Sequence, residues 1–526
     1  MSHITAPVSR RRMYAKTHAA SVFGITAVPV EIEVHAEMGL PGMHIVGLPD
    51  NSVREAKERV QAALKNTGFD LPPRRFIINL APADVRKEGS AFDMAIAIGL
   101  LVSIERLPSM DDSNTVIMGE LALDGAVRPV HGLLPVAMAM KHRGFRRLLV
   151  PEANAREAAI VDGIDVIPIQ TLADAVAILN GLLVPQPVTV DVHALFRQER
   201  DRTDLDLRDV KGQMSVKRAL EVAAAGGHNI IMIGPPGSGK TMIAKRLPGI
   251  LPPLTLAESL ETTKIHSVAG MLRPGQPLVT QRPFRAPHHT ISDAALVGGG
   301  VGVVRAGEVS LAHHGVLFLD EVPEFQRNVL EVLRQPLEDK RICISRTKMS
   351  VDYPANVMLV CSMNPCPCGH YGNPYHHCQC KPEVVQKYLA KVSGPLLDRI
   401  DIHVQVPAVK VEELSTAPMG EHSSLIRDRV EAARMIQHER FRGAVAVYKN
   451  ADMTPNDLRS YCVLDVDGAA LLRRAMTSMG FSARAYDRII KVSRTIADLA
   501  GHDDILVDDV AEAIQYRSLD RAMWGF

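Results

Sequence analysis

Gly234-Pro-Pro-Gly-Ser-Gly-Lys-Thr241 decides how this chain is read. The eight residues fit the phosphate-binding pattern G-x-x-x-x-G-K-[ST]. Before them, Asn229-Ile-Ile-Met-Ile233 is an apolar run predicted as a buried strand; after them, Met242-Ile-Ala-Lys-Arg246 is predicted to open a helix. That context gives the motif its physics. The turn Gly234, Pro235, Pro236, Gly237, Ser238, Gly239 aims backbone N–H groups at a phosphate, and the helix N-terminus behind it favours an anion. Lys240 is then placed to reach the β- and γ-phosphates, and the Thr241 hydroxyl to ligate Mg²⁺. A Gly-rich turn without a ligand is the plain alternative, and it leaves Lys240 and Thr241 unexplained.

Working outward, Gly315-Val-Leu-Phe-Leu-Asp-Glu321 is an apolar strand ending in two carboxylates. In a nucleotide hydrolase the first, Asp320, holds the Mg²⁺ shell with Thr241, and the second, Glu321, polarises the attacking water. Val357-Met-Leu-Val360 is a further buried strand ending near Asn364, at a tip suited to orienting that water. Arg399 lies in Leu396-Leu-Asp-Arg-Ile-Asp-Ile-His403, flanked by two acids. It reads either as a salt-bridged arginine or as a finger that stabilises transition-state charge in a neighbouring subunit. Arg484, Arg488 and Lys491 recur at i, i+4, i+7 on one helix face. Arg484 reads as a γ-phosphate sensor or as part of a solvated basic face.

The 526 residues suit about three domains. With 46% hydrophobic and 23% charged residues the composition is that of a chain with real cores. Sixty basic against 59 acidic residues leave a net charge of +1, so any nucleic-acid surface must be local. No secretory signal follows Arg10-Arg-Arg12, and the apolar stretch Met94 to Ile104 is too short for a bilayer, so a cytoplasmic location and no membrane partner are expected. The expected fold class is α/β. Residues 1–183 read as a compact domain, with strands around Ile32–His35, Met43–Val46, Phe76–Leu80 and Leu148–Val150 and helices over Asn51–Lys65 and Phe92–Val102. Residues 184–204, Pro- and Val-rich and then dense in charge, read as a linker. Residues 205–410 carry the nucleotide motifs, and 411–526, rich in helical-period apolar residues, read as a helical bundle.

Asp209-Val-Lys-Gly-Gln213, Arg282-Pro-Phe-Arg-Ala-Pro-His-His-Thr290, Ala306-Gly-Glu-Val-Ser-Leu-Ala-His-His314, the Cys-rich element after Asn364, and Ser482 to Leu499 resemble the magnesium-chelatase-like AAA+ ATPases, and within them the ComM/YifB family, over nearly the whole chain. The resemblance implies ATP and Mg²⁺ at subunit interfaces of a homo-hexameric ring, with Asp209, Val210 and Met242 also at the nucleotide. It implies that Arg399 acts as the finger and Arg484 as the second sensor. It further implies a DNA branch-migration motor, helicase-like, that serves homologous recombination in natural transformation beside recombinase-pathway proteins. Gly119-Glu-Leu-Ala-Leu-Asp-Gly-Ala-Val-Arg-Pro-Val130 and Lys87-Glu-Gly-Ser-Ala91 are similar to the Lon protease domain, which implies an S5 D2-like α+β fold at the N-terminus. That protease needs a Ser activated by a Lys. Aligned without gaps, the two positions hold Ala91 and Leu134, so an inactive scaffold for ring assembly or DNA guidance is expected rather than a protease.

Two elements remain. Lys340 to Tyr353 alternates apolar and polar residues around Arg346-Thr-Lys348, which predicts a β-hairpin with a basic tip. Arg346 and Lys348 are candidate phosphate contacts to single-stranded or branched DNA; an ordinary exposed basic turn is the alternative. The glycines between Ile291 and Arg305 suggest a mobile loop. Cys366-Pro-Cys368 and Cys378-Gln-Cys380, in an insert over 366–380, can close a tetrahedral Zn²⁺ site, with His370, His376 or His377 able to replace one thiol. Reduced free thiols or one disulfide are the alternatives. A chelatase-type chaperone that remodels a protein partner is the competing function.

Overall fold

The computed structural model describes residues 13–110, 114–200, 205–300, 304–346, 349–373, 376–408, 420–443 and 447–519. The chain divides into two compact units: Met1–Phe196 with Leu260–Val279, and Arg197–Ser259 with Thr280–Phe526.

The first unit is built on a seven-stranded mixed sheet. Its order is Gly42–Val46, Arg75–Ala81, Thr26–Glu37, Tyr14–Phe23, Thr115–Ile117, Arg147–Pro151, Asp165–Ile169. Val30, Ile32, Val34 and Ala36 alternate inward along Thr26–Glu37, the period-two pattern of a strand with one buried face. The helix Asn51–Asn66 starts where Asp50 accepts the Val53 N–H at 2.8 Å, and it buries Val53, Ala56, Val60, Ala63 and Leu64. The helix Asp93–Ser103 is buried on every side.

Two stretches depart from the linear reading. Within 184–204, expected as a linker, a helix runs over Val192–Arg200. Val192, Leu195 and Phe196 recur at i, i+3, i+4 among charges, and they pack with Leu134, Ile160 and Leu278. Leu278 belongs to Leu260–Val279, which joins this unit although the nucleotide motifs precede and follow it in sequence.

The second unit holds a five-stranded, all-parallel sheet in the order Phe284–Arg285, Val316–Leu319, Met358–Met363, Ile230–Ile233, Ile402–Gln405. Strands Ile230–Ile233, Val316–Leu319 and Met358–Met363 are wholly buried, which explains their continuous apolar sequence. Ile230 stands opposite Val360 on one side and Ile402 on the other. The carboxyl ends of the phosphate-loop strand and the Asn364 strand are therefore neighbours, the place where ligands sit on such sheets. Helices Ser423–Arg440, Pro455–Tyr461, Val466–Met479, Ala483–Ala500 and Val507–Gln515 make the C-terminal part helical and share one apolar core with the sheet.

Arg341–Arg346 and Met349–Pro354 form an antiparallel hairpin in which Arg346 faces Met349. The glycine-rich stretch expected as a loop carries the helix Asp293–Val297 and a short ladder, Gly298–Gly299 against Arg305–Ala306. Among the described residues, no helix is long and apolar enough to cross a membrane.

Candidate functional site

The phosphate loop leaves its strand at Gly234, whose N–H donates to Met363 O at 3.2 Å. A Cβ there would stand 2.2 Å from Val406 O, so only glycine fits. Gln213 Nε2 holds the far side of the loop by donating to Ser238 O at 2.9 Å. Lys240, the first residue of the helix Lys240–Ala244, is almost wholly buried. Its Nζ donates to Gly234 O at 2.8 Å, Pro235 O at 2.9 Å and Asn364 Oδ1 at 3.1 Å. Burial lowers its pKa, and the charges of Asp320 and Glu321 oppose that shift.

Thr241 Oγ1 donates to Asp320 Oδ2 at 2.6 Å, and the Ser362 hydroxyl donates to the other oxygen of Asp320. Parallel pairing of Val316–Leu319 with Met358–Met363 produces this convergence. A hydroxyl and a carboxylate side by side are the hard oxygen donors that Mg²⁺ takes beside a polyphosphate, so these residues fit a Mg²⁺–nucleotide. Glu321, at φ 54°, turns the chain off the strand and is exposed. Its N–H donates to Ser362 Oγ at 3.4 Å. Asn364, just beyond the end of its strand, meets the loop lysine through its Oδ1.

The other expected nucleotide residues are spread around this centre. Asp209 closes the short turn Leu207–Asp209 and pairs with Arg246 at 3.2 Å. Val210 is buried, and its carbonyl accepts from Lys217. Met242 is half-exposed on the helix beyond Lys240. Arg399 is buried, donating to Pro395 O at 2.5 Å and to Glu338. Arg484 is largely exposed, and Asp398 stands 3.8 Å away. The bonds of both arginines go to these groups and not to the phosphate loop.

A network that linear reading missed lies below the site. His228, wholly buried, sits 3.2 Å from Asp401 and 2.8 Å from Thr495, and Arg488 donates to Asp401. Burial alone would raise the Asp401 pKa, but Arg488 and His228 outweigh it and hold the carboxyl well below the usual range. Arg488 lies on the helix face read from the sequence. Its partner Asp401 is the second acid of Leu396–His403, the only signal available.

Beside the loop, Cys366, Cys368, Cys378 and Cys380 bring their sulfurs within 4.8 Å of one another. Cys366 to Cys368 is 3.3 Å, Cys366 to Cys378 3.7 Å and Cys368 to Cys378 3.6 Å. Four sulfurs on a tetrahedral Zn²⁺ at about 2.3 Å stand about 3.8 Å apart, so the set fits a soft divalent cation. Cys361 and Cys462 are buried, and Cys343 is exposed on the hairpin. Arg346 has its backbone in the hairpin ladder, but its side chain and Lys348 lie outside the described residues.

In the first unit, Leu134 is buried with its N–H donated to Glu157 at 2.8 Å. Ser90 donates to Glu120, and the buried Lys87 to Pro82 O.

Family models for magnesium chelatase match the chain three times: subunit ChlI over residues 206–414, subunit ChlI of Mg-chelatase over 32–154, and the ChlI C-terminal model over 420–517. The chain is 43% identical to the competence protein ComM of Haemophilus influenzae, over 97% of this chain and 98% of that one. It is 42% identical to the uncharacterized protein YifB of Escherichia coli, over 96% of this chain and 97% of that one. Lon protease 2 of Bacillus subtilis is 25% identical over 174 residues, 30% of each chain, in the N-terminal part. The assembled phosphate loop and the near end-to-end likeness lead to one conclusion: the chain belongs to the ComM/YifB family of magnesium chelatase-like AAA+ proteins.

Proposed function

We propose that the chain is an ATPase that works in the cytoplasm as a hexameric ring and drives single-stranded or branched DNA through homologous recombination in natural transformation. One observation carries the reading: the contact of Thr241 with Asp320 beside Lys240 and Asn364, in a chain matching a competence protein along 97% of its length. Bound Mg²⁺ supplies neutralisation of charge developing on the β- and γ-phosphate oxygens. Lys240 holds those oxygens, and Thr241 and Asp320 position the cation. Glu321 takes the proton of the attacking water, which Asn364 orients. Arg399 reaches the site of the neighbouring protomer, and Arg484 senses the γ-phosphate from the C-terminal helices, which act as a lid. Asp209, Val210 and Met242 flank the nucleotide. Arg346 and Lys348 grip DNA phosphates. The four thiols hold Zn²⁺, and the Lon-like domain, with Ala91 and Leu134 at the dyad positions, is a scaffold and not a protease.

The test is ATP turnover with and without forked, single-stranded and four-way-junction DNA, paired with a branch-migration gel. Stimulation by DNA, lost in Arg346→Ala/Lys348→Ala, is the expected outcome. The chelatase family models favour a second reading, a chaperone that remodels a protein partner. Turnover indifferent to every DNA but raised by a protein partner selects it.

A further inference from the structure

The thiol cluster is tied to its surroundings from two directions. The first is the turn that begins at Cys366, two residues beyond Asn364. Cys366 is buried beside Val385, Tyr388 and Leu389, and its sulfur accepts the Tyr371 N–H at 3.3 Å. Gly369 closes the turn at φ 80°, its N–H donating to Cys366 O at 2.9 Å. A Cβ on Gly369 would lie 2.4 Å from Cδ and 3.1 Å from Cγ of Pro236. The thiol turn therefore stands in direct contact with the ring of a phosphate-loop residue.

The second direction is the helix Pro382–Leu389, which begins just after Cys380. Its Val385, Tyr388 and Leu389 are buried in the same apolar cluster as Cys366. One thiol pair thus precedes the contact with Pro236, and the other precedes the helix that packs in the cluster of Cys366. Between them, the described residues of 366–380 form no helix or strand. Such a segment lacks the hydrogen-bonded ladder that would hold it, and a metal supplies that order.

We propose that Cys366, Cys368, Cys378 and Cys380 form a tetrathiolate zinc site whose occupancy sets the shape of the phosphate loop, so that nucleotide affinity depends on this metal. The inference rests on the nucleotide-binding reading above and assigns a control to the same site. Zinc ties the two pairs together, and the Gly369 turn then walls Pro236. Because Gly369 has no side chain to yield, a displacement of the thiol turn passes directly to the loop. Misplacement of about 1 Å is enough to cost up to roughly a hundredfold in function.

The experiment uses the full chain and two readouts: zinc content by elemental analysis, and the Kd of a fluorescent ATP analogue. About one zinc per chain is expected in wild type. Cys378→Ser/Cys380→Ser loses the zinc, and its Kd rises by roughly tenfold or more. Gly369→Ala keeps all four thiols and the zinc, and its Kd rises as well. Wild type stripped by a chelator weakens in the same way and recovers when Zn²⁺ is restored, which decides the matter if the serine variant does not fold. A zinc-free chain that binds the analogue with wild-type Kd overturns the inference, as does a wild type that takes up no zinc. Failure of wild type to bind the analogue, with or without zinc, overturns the nucleotide reading and this inference together.

Discussion

Lys240 shows what one position requires of its surroundings. Three oxygens from two segments saturate its ammonium, and two of them belong to the loop that the same lysine completes. Lys240→Ala removes the only side-chain cation of that loop, and loss of nucleotide binding is expected in an equilibrium titration. Glu321→Gln keeps shape and hydrogen bonding but cannot accept a proton. It is expected to bind ATP and to lose turnover by about 10³-fold in a phosphate-release assay; near-normal turnover would remove Glu321 from the mechanism. These residues were legible because the motif is contiguous. Asn364 was legible for another reason: a polar residue at the end of an apolar strand beside the loop has one place to go. The partners of Arg399 were not. Its flanking acids, Asp398 and Asp401, suggested a local salt bridge, yet Asp398 stands by Arg484, Asp401 is bonded by Arg488, and Arg399 donates to Glu338.

At the scale of elements, the joint between the helix Ala483–Ala500 and the strand Ile402–Gln405 is electrostatic at its centre. Asp401 is buried between Arg488 and His228, and Thr495 takes the other nitrogen of the imidazole. The folded pKa of Asp401 is depressed, so its stabilisation is full above the unfolded value of about 3.9 and is lost as pH falls through the folded one. Burial lowers the His228 pKa despite Asp401. The unfolded chain therefore binds this proton first, and stability also falls as pH drops below about 6.5. Asp401→Asn is expected to destabilise the second unit by about 3 kcal/mol at neutral pH, since it leaves Arg488 without its buried counter-charge. Thermal scans across acid pH should then show a lower melting temperature with a shallower decline than wild type. Identical melting curves would show that the joint contributes nothing. The helices themselves were legible from their period of 3.6, and the strands from their apolar runs. The helix Val192–Arg200 was not, because its few apolar residues run into the charges Arg197, Glu199 and Arg200 and become decisive only against Leu134 and Ile160.

For the whole molecule, the finger assignment has a consequence that only an assembly can display. If Arg399 serves a neighbouring protomer, Arg399→Ala binds nucleotide normally and loses about 10³-fold in turnover. Lys240→Ala is inactive for a different reason but still carries its finger. Mixing the two variants should restore part of the hydrolysis measured by phosphate release, because a sound loop then meets a sound arginine across an interface. A mixture as inactive as its components would place Arg399 in its own chain's chemistry or outside it. The sequence by itself determined the chemical inventory: the loop, the paired carboxylates, the four thiols and the helical C-terminal segment, each encoded within a short window by residue type and period. Only the tertiary structure decided the strand order, the assignment of Leu260–Val279 to the first unit, the His228–Asp401–Thr495 network, and the contact of Gly369 with Pro236. These join residues far apart along the chain. Their meeting depends on how loops close and which surfaces exclude water together, information that no local pattern carries.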